Sequence, residues 1–364
     1  MRGRVLKALF ITLLTLTNSA FASESHGHGS ESESESDIKA EIKAYIQHHL
    51  QDSHDFGLYS YEDDKGEHVY VSFPLPVIFY DEGVHVMSSS AFDHGKKVVE
   101  SQGKYYALHH GKIYRTDKHG HVEYDEEGHI TSVAPVDFSI TKNVSFIIIV
   151  SLLMFFMFRR MANSYKDNGM PSGLGRFLEP IILFVRDDIA IPNIGKDKYK
   201  RYMSFLLTVF FFIWIINLFG LTPLGVNVTN NIAVTACLAI IVYLITTFSG
   251  NADYWKHIFW MPGVPVPMKI LLAPIELLGT IIKPFSLMIR LYANITAGHI
   301  VLMSLIGMMF VFNNWLGSSL SFVLAFVLAI LELLVAALQA YIFTMLAALY
   351  FGSAVEEHEH EHAH

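Results

Sequence analysis

Two long apolar segments near the C-terminus contain ionisable residues that the interior of a membrane rarely holds without a function. Arg290, Asn294 and His299 lie in FSLMIRLYANITAGHIVLM, and Glu332 lies in VLAILELLVAALQAYIF, seven residues before Gln339. Charged groups are costly at membrane depth, and those that occur there usually mark ion or proton paths. These five residues are therefore the first candidates for chemistry, and the chemistry they indicate is proton transfer.

The spacing of these residues on helices predicts two separate roles. Arg290 and His299 are nine residues apart, which is about 13 Å along a helix axis and roughly 180° around it. Asn294 lies about 40° from Arg290, and Glu332 and Gln339 share a face of their own helix. Arginine stays charged at any working pH, whereas histidine and glutamate titrate. The pattern predicts a fixed positive charge at Arg290 and a proton relay of His299 and Glu332.

Each ionisable residue also has a purely structural interpretation. Arg290 can extend its side chain to the headgroups, since Lys283 lies only seven residues earlier,. His299 can hold two helices together through a hydrogen bond. These alternatives stay open for one residue alone, but they become weaker when one chain buries three ionisable groups.

The elements that must position these residues are five apolar segments. They run from about 146 to 158 with flanks, 202–221, 232–248, 270–312 and 318–352. Nine Lys or Arg residues between 159 and 201 predict a cytoplasmic loop, because positive charge stays inside,. We predict an all-α polytopic membrane protein of about five helices, the last two long and tilted, in the domain 141–352. The acidic, His-rich tail 353–364 is predicted to be cytoplasmic.

The N-terminal part has the features of a secreted segment. A basic start, an apolar stretch and Ala20-Phe21-Ala22 predict a signal peptide over 1–22,. Residues 23–36 have low complexity,. Asp37 can cap a short helix,. Alternating runs from about His68 to Val136 predict strands, namely HVYVSF, PVIFY, GVHVM, KYYAL, KIYRT, HVEYD and HITSV,. We therefore predict a small, β-rich, extracytoplasmic α+β domain over 37–140.

Composition limits the classes of function. The chain is 52% hydrophobic and 16% charged, which is too few charges for a wholly soluble protein. Residues 1–140 contain 12 basic and 22 acidic residues (net −10), and residues 141–352 contain 14 and 8 (net +6). The acidic front half argues against a nucleic-acid partner. Cys237 is the single cysteine, so no internal disulfide or cysteine zinc site forms,. We expect no cofactor, no bound metal and no nucleotide loop.

The stretches IKPFSLMIRLYANITAGHI and LQAYIFTMLAALYF resemble subunit a of the F-type ATP synthase, as do FLEPIILFVRDDIAIPNIG and the loop LFGLTPLG…NVT. The resemblance covers about 145–352. It implies a non-catalytic subunit of the bacterial inner membrane that conducts protons against a rotating c-ring, with b subunits, the rest of the synthase and lipid as further partners. Residues 23–140 lie outside the family's usual pattern.

The resemblance also implies roles for particular residues. Arg290 matches the essential arginine that faces the c-ring, with Asn294 and Gln339 as polar neighbours. His299 and Glu332 match the relay of the outer half-channel, in the reverse order of the best-known bacterial form. Glu276 and Ser286 match positions linked to the inner half-channel.

A zinc-handling protein and a secondary transporter are the two alternative classes of function. The sequences HGHG and EEHEHEHAH favour a zinc-handling membrane protein,, although the apolar segments contain no cluster with ligand spacing. A secondary transporter would usually show internal repeats, and none is visible.

Overall fold

The computed structural model describes residues 52–62, 68–95, 97–109, 111–125, 130–168, 173–222, 226, 228–261, 264–311 and 315–356. The chain divides into two compact units, the first comprising 1–146 with 223–226 and the second 147–222 with 227–364. Three predicted features lie outside the described residues, namely the signal peptide with the segment that follows it, the helix after Asp37, and the tail beyond 356.

The first unit contains eight strands among its described residues. They are β1 Asp55–Glu62, β2 His68–Pro74, β3 Pro76–Tyr80, β4 Val84–Ser88, β5 Val99–Ser101, β6 Lys104–His109, β7 Lys112–Thr116 and β8 Val136–Asp137. Three antiparallel sheets result, with strand orders β1-β2, β4-β3-β8 and β5-β6-β7. The predicted N-terminal region with strands is therefore confirmed.

Individual strands differ from the sequence prediction in both directions. β1, β5 and β8 were not predicted, and the predicted runs HVEYD and HITSV form only an isolated bridge between Tyr124 and Ile130. Ahead of these runs, the Asp117 carboxylate accepts hydrogen bonds from the backbone N–H groups of His119 and His121. A side chain thus satisfies donors that a strand would have used, which favours a turn.

The core of the first unit consists of alternating residues from its central strands. Val77 and Phe79 of β3 pack with Phe92, Tyr106 and Ile113, all at most 2% exposed. Burial, followed by the hydrogen bond that Tyr106 donates to Asp81 (2.9 Å), raises the pKa of Tyr106 to about 12. The hydroxyl therefore remains protonated and satisfied inside the core.

The first unit continues directly into the first long helix, α1 (Lys142–Asn168). The Asp52 carboxylate accepts hydrogen bonds from the Asn143 N–H (3.1 Å) and the Thr141 hydroxyl (3.0 Å). The Lys142 N–H donates to the Ser53 carbonyl at 2.9 Å. Asp52 and the Ser53 carbonyl thus satisfy two of the free N–H groups of the first helical turn,.

The second unit is helical and continues α1. Its further helices are α2 Leu174–Phe184, α3 Ile191–Ile194, α4 Tyr199–Gly220, α5 Ile232–Ser249, α6 Ala252–Phe259, α7 Val266–Val311 and α8 Trp315–Val355. Among the described residues, five helices are long and apolar enough to cross a membrane, over Lys142–Tyr165, Tyr199–Gly220, Ile232–Ser249, Val266–Met309 and Trp315–Val355. The predicted all-α membrane region with about five spans, two of them long, is therefore confirmed.

Short helices that the sequence did not predict surround the C-terminal end of α8. A π-helical segment, Val185–Ala190, joins α2 to α3. A methyl group on Gly352 of α8 would overlap the Asn193 carbonyl oxygen of α3, so the close helix crossing needs a glycine. The Lys198 ammonium (2.8 Å) and the Asn251 side-chain amide (3.2 Å) donate to the Val355 carbonyl. These contacts fix the end of the helix that carries Glu332.

Candidate functional site

The two longest helices pack against each other and bring together residues that are distant in sequence. The Asn294 side-chain amide of α7 donates a hydrogen bond to Gln339 Oε1 of α8 at 3.1 Å. Gln339 is 2% exposed, and the two residues are 45 positions apart. Interhelical amide contacts of this kind are typical of packed membrane helices. The structure therefore joins two of the predicted site residues directly.

Glu332 lies buried against the backbone of α7. A Cβ atom built on Gly298 would be 3.2 Å from Glu332 Oε1. The side chain is 5% exposed, and Oε2 has no hydrogen-bond partner among the described residues. A glycine at 298 is what lets the carboxyl group come this close to α7. A buried carboxyl group with an open acceptor is suited to receive a proton.

A small cavity joins Glu332 to His299, which is 6% exposed. Asn217 of α4 also lines it, and its volume is about 10 Å³. This is close to the least volume that one water molecule needs, and the lining provides polar partners for it. His299 and Glu332, 33 residues apart in sequence, thus both line one small cavity.

A larger groove lies on the other side of Glu332. It measures about 250 Å³ and is lined by Asn294, Gly298, Glu332 and Gln339, together with leucine, valine and isoleucine side chains. Glu332 borders both the small cavity and this groove. It is therefore placed between His299 and the polar pair Asn294–Gln339.

Arg290 lies on the same stripe of α7 as Asn294. Ser286, Arg290 and Asn294 are spaced by four residues, so they follow one face of the helix,. Arg290 is half-buried and forms no ion pair with any residue that the structure describes, and Ser286 is exposed. Lys283, one turn before Ser286, stacks its ammonium 5.5 Å from the centre of the Tyr350 ring. Arg290 therefore presents a charge that the described part of the chain does not neutralise.

Glu276 is not brought into this cluster. It lies 23 residues before His299 on the same helix, about 34 Å along the axis. Its surroundings include Tyr254 of α6, whose pKa is raised by burial and then by the proximity of Tyr243 and the negative charge of Glu276. Glu276 and His299 thus occupy opposite halves of α7.

Two polar contacts at the site were missed by sequence reasoning. Asn217 is 3% exposed, and its Oδ1 accepts a hydrogen bond from the Thr229 hydroxyl at 3.0 Å. The Thr296 hydroxyl donates to Asn230 Oδ1 at 2.5 Å. An asparagine inside the apolar run FFFIWIINLFG was a readable signal, because such residues are rare in membrane spans without a partner,.

Five apolar helices with a buried polar cluster between the two longest define a polytopic membrane protein. Residues 144–352, more than half of the chain, match the family described as ATP synthase A chain. ATP synthase subunit a of Chloroherpeton thalassium is 41% identical over 236 residues, which covers 63% of this chain and 70% of the relative. The corresponding protein of Myxococcus xanthus is 40% identical over 239 residues, covering 62% and 78%.

The chain belongs to the ATP synthase A chain family. The resemblance seen in the sequence is thereby confirmed, and with it a non-catalytic proton-channel subunit of the membrane sector. Residues 45–138 match a separate family, described as a domain of unknown function.

Proposed function

We propose that protons cross the outer half of the membrane through the contact of α7 and α8, with His299 and Glu332 as the relay. The observation that carries this proposal is the position of Glu332. Its carboxyl group is buried against Gly298 and borders both the cavity that His299 lines and the groove that Asn294 and Gln339 line. A titratable group that borders two spaces, each with polar side chains in its lining, can receive a proton from one and release it to the other,.

The groove is where the proton leaves this chain. A proton delivered past Gln339 neutralises a carboxylate on the c-ring, the main partner, and the neutral carboxyl group can then turn into lipid. Each proton that moves inward through 100 mV releases about 2.3 kcal/mol. Rotation of the ring uses this free energy, and ATP synthesis takes place on other subunits of the synthase.

Arg290 acts as the fixed counter-charge on the ring side. Its half-buried guanidinium forms no ion pair with the described residues, so a carboxylate on a partner can supply one. Its charge persists where a lysine could lose its proton. The same charge repels a proton that would cross directly between the half-channels. Ser286 and Glu276, further along α7, belong to the inner half-channel.

The orientation in the bacterial inner membrane follows from charge. The signal peptide 1–22 is removed, the low-complexity segment 23–36 and the domain 37–140 lie in the periplasm, and the membrane domain 141–352 leads to a cytoplasmic tail, 353–364. The nine basic residues between 159 and 201 support this orientation,. The b subunits of the peripheral stalk are further partners.

Metal handling by the His-rich ends is the alternative function. The described part of the chain contains no group of three His, Cys, Asp or Glu residues arranged to hold a metal ion. The His-rich ends themselves lie outside the described residues. The structure therefore adds nothing in favour of this alternative, whereas the cluster around Glu332 favours proton conduction.

The test is passive proton flux through vesicles whose ATP synthase has lost its catalytic head. His299→Ala and Glu332→Ala should each slow the flux by roughly 10²-fold, the usual contribution of a positioned proton-transfer group. The paired exchange His299→Glu with Glu332→His should restore part of it, because one acid and one base still face the cavity. Glu179→Ala is the matched control, because Glu179 lies on α2 outside the cluster around Glu332. Its carboxylate accepts a hydrogen bond from the Tyr165 hydroxyl at 2.8 Å. An exchanged protein that conducts less than either single variant would refute the relay.

A further inference from the structure

The sheet β4-β3-β8 of the first unit has one face that the described residues leave uncovered. In the cross-strand register, Tyr80 pairs with Val84 and Val136, and Ile78 pairs with Val86. Phe138 continues the second row, because its N–H donates to the Ile78 carbonyl at 2.8 Å. The apolar face therefore consists of two adjacent rows, Val84–Tyr80–Val136 and Val86–Ile78–Phe138.

Exposure marks this face as unusual. Five of its six side chains are 52–67% exposed, and Ile78 is half-buried. The opposite face of the same sheet carries Val77 and Phe79, both completely buried. Asp137 also points away from the apolar face, because its carboxylate contacts the buried His54 ring at 2.9 Å. Contiguous apolar surface of this kind usually marks an interaction site with a protein or a membrane.

The apolar face leads along the chain to the start of the first membrane helix. Ile140 extends the face by one more residue pair, since its N–H donates to the Pro76 carbonyl at 3.1 Å. α1 then begins at Lys142, six residues after Val136. Six residues of extended chain span at most about 20 Å. Val136, the nearest end of the face along the chain, therefore lies within that distance of the first turn of a membrane-spanning helix, and the other two strands follow beside it.

The connection between the face and the helix is not a free tether. Asp52, just before β1, accepts hydrogen bonds from Thr141 (3.0 Å) and the N–H of Asn143 (3.1 Å). The Lys142 N–H is bonded to the Ser53 carbonyl (2.9 Å). The first turn of α1 is thus hydrogen-bonded to the two residues that precede β1 by a few positions, in the same unit that carries the sheet.

We propose that the apolar face is a membrane-docking surface, and that its occupant is the headgroup–acyl boundary of the bilayer. Continuity with the first membrane helix favours lipid, because the bilayer begins where α1 begins. The composition of the face also favours lipid, because one tyrosine, one phenylalanine and four aliphatic residues form it and none of them is charged. Aromatic residues are enriched at this depth, and apolar faces of interfacial elements enter the boundary by about 5–10 Å.

The experiment uses the intact ATP synthase in vesicles of phosphatidylcholine and phosphatidylglycerol. In a Cys237→Ala background, Val86→Cys and Val136→Cys are labelled separately with an environment-sensitive fluorophore. Glu100→Cys is the matched control, an exposed position on β5 of the same unit. Replacement at such exposed positions rarely changes stability by much. The quenchers are a lipid nitroxide near the headgroup end of the acyl chain and iodide in the water.

The proposal predicts that the lipid nitroxide quenches the labels at 86 and 136 several-fold more than the label at 100, and that iodide does the reverse. Adding Phe138→Asp should lower the lipid quenching at 86, because a charge on the face opposes insertion. Equal lipid quenching at all three positions would overturn the proposal. A label at 86 protected from iodide but not quenched by lipid would also overturn it, and would assign the face to a protein partner or to the N-terminal segment of this chain.

Discussion

Glu332 shows how one small residue decides what a buried carboxyl group can reach. Its carboxyl oxygen is accommodated over Gly298, where any larger residue would meet it. That position keeps the group between the cavity lined by His299 and the groove lined by Gln339. The relay that we propose thus depends on a glycine that has no chemistry of its own.

We expect Gly298→Ala to slow passive proton flux several-fold without preventing assembly. The added methyl group would be 3.2 Å from Glu332 Oε1, so the carboxyl group must shift by a few tenths of an ångström. Misplacement of a reacting group by 1 Å can cost about 10²-fold. Gly279→Ala on the same helix is the control, because its methyl group would meet nothing within 4 Å. Equal flux in both variants would show that the position of Glu332 is not critical.

At the scale of elements, the sequence predicted the five spans because each is a long apolar run. It predicted most strands because apolar and polar residues alternate along them. It did not predict α2, α3 and α6, which are short and take their stability from packing against longer helices. It also did not predict Asn217 as part of the site. Neighbouring residues do not reveal that α4 comes close to His299, since only tertiary packing brings an asparagine 82 positions away into the same cavity.

The crossing of α3 and α8 gives an element-scale prediction. Gly352→Ala should destabilise the solubilised subunit by about 1–3 kcal/mol or more, because the new methyl group overlaps the Asn193 carbonyl oxygen and the helices must separate,. The measurement is the thermal inactivation temperature of the purified complex, with the yield of assembled complex beside it. Gly279→Ala should be neutral or slightly stabilising, since alanine is favoured over glycine in helices by about 0.5–1 kcal/mol. An unchanged inactivation temperature for Gly352→Ala would contradict this crossing.

For the whole molecule, the charge distribution and the five spans together predict one orientation. In a Cys237→Ala protein, Ser90→Cys should react with a membrane-impermeant thiol reagent in intact spheroplasts, and Glu356→Cys should react only after the membrane is opened. Both positions are exposed, so accessibility reports the side of the membrane rather than burial. Labelling in the opposite order would require the N-terminal unit to be cytoplasmic.

The most direct test of the account is the behaviour of Arg290→Lys in the intact synthase. A headgroup anchor needs only a positive end on a flexible stem, so lysine would replace it with little loss. A counter-charge for a moving carboxylate must stay ionised when desolvated, and it must hold one carboxylate while it releases another. The planar guanidinium of arginine meets both requirements, whereas the lysine ammonium does not. We predict that Arg290→Lys assembles but loses ATP-driven proton pumping, and that Arg290→Ala assembles and leaks protons after the catalytic head is removed. Full coupled pumping by Arg290→Lys would contradict the assignment of Arg290 as the counter-charge to the c-ring.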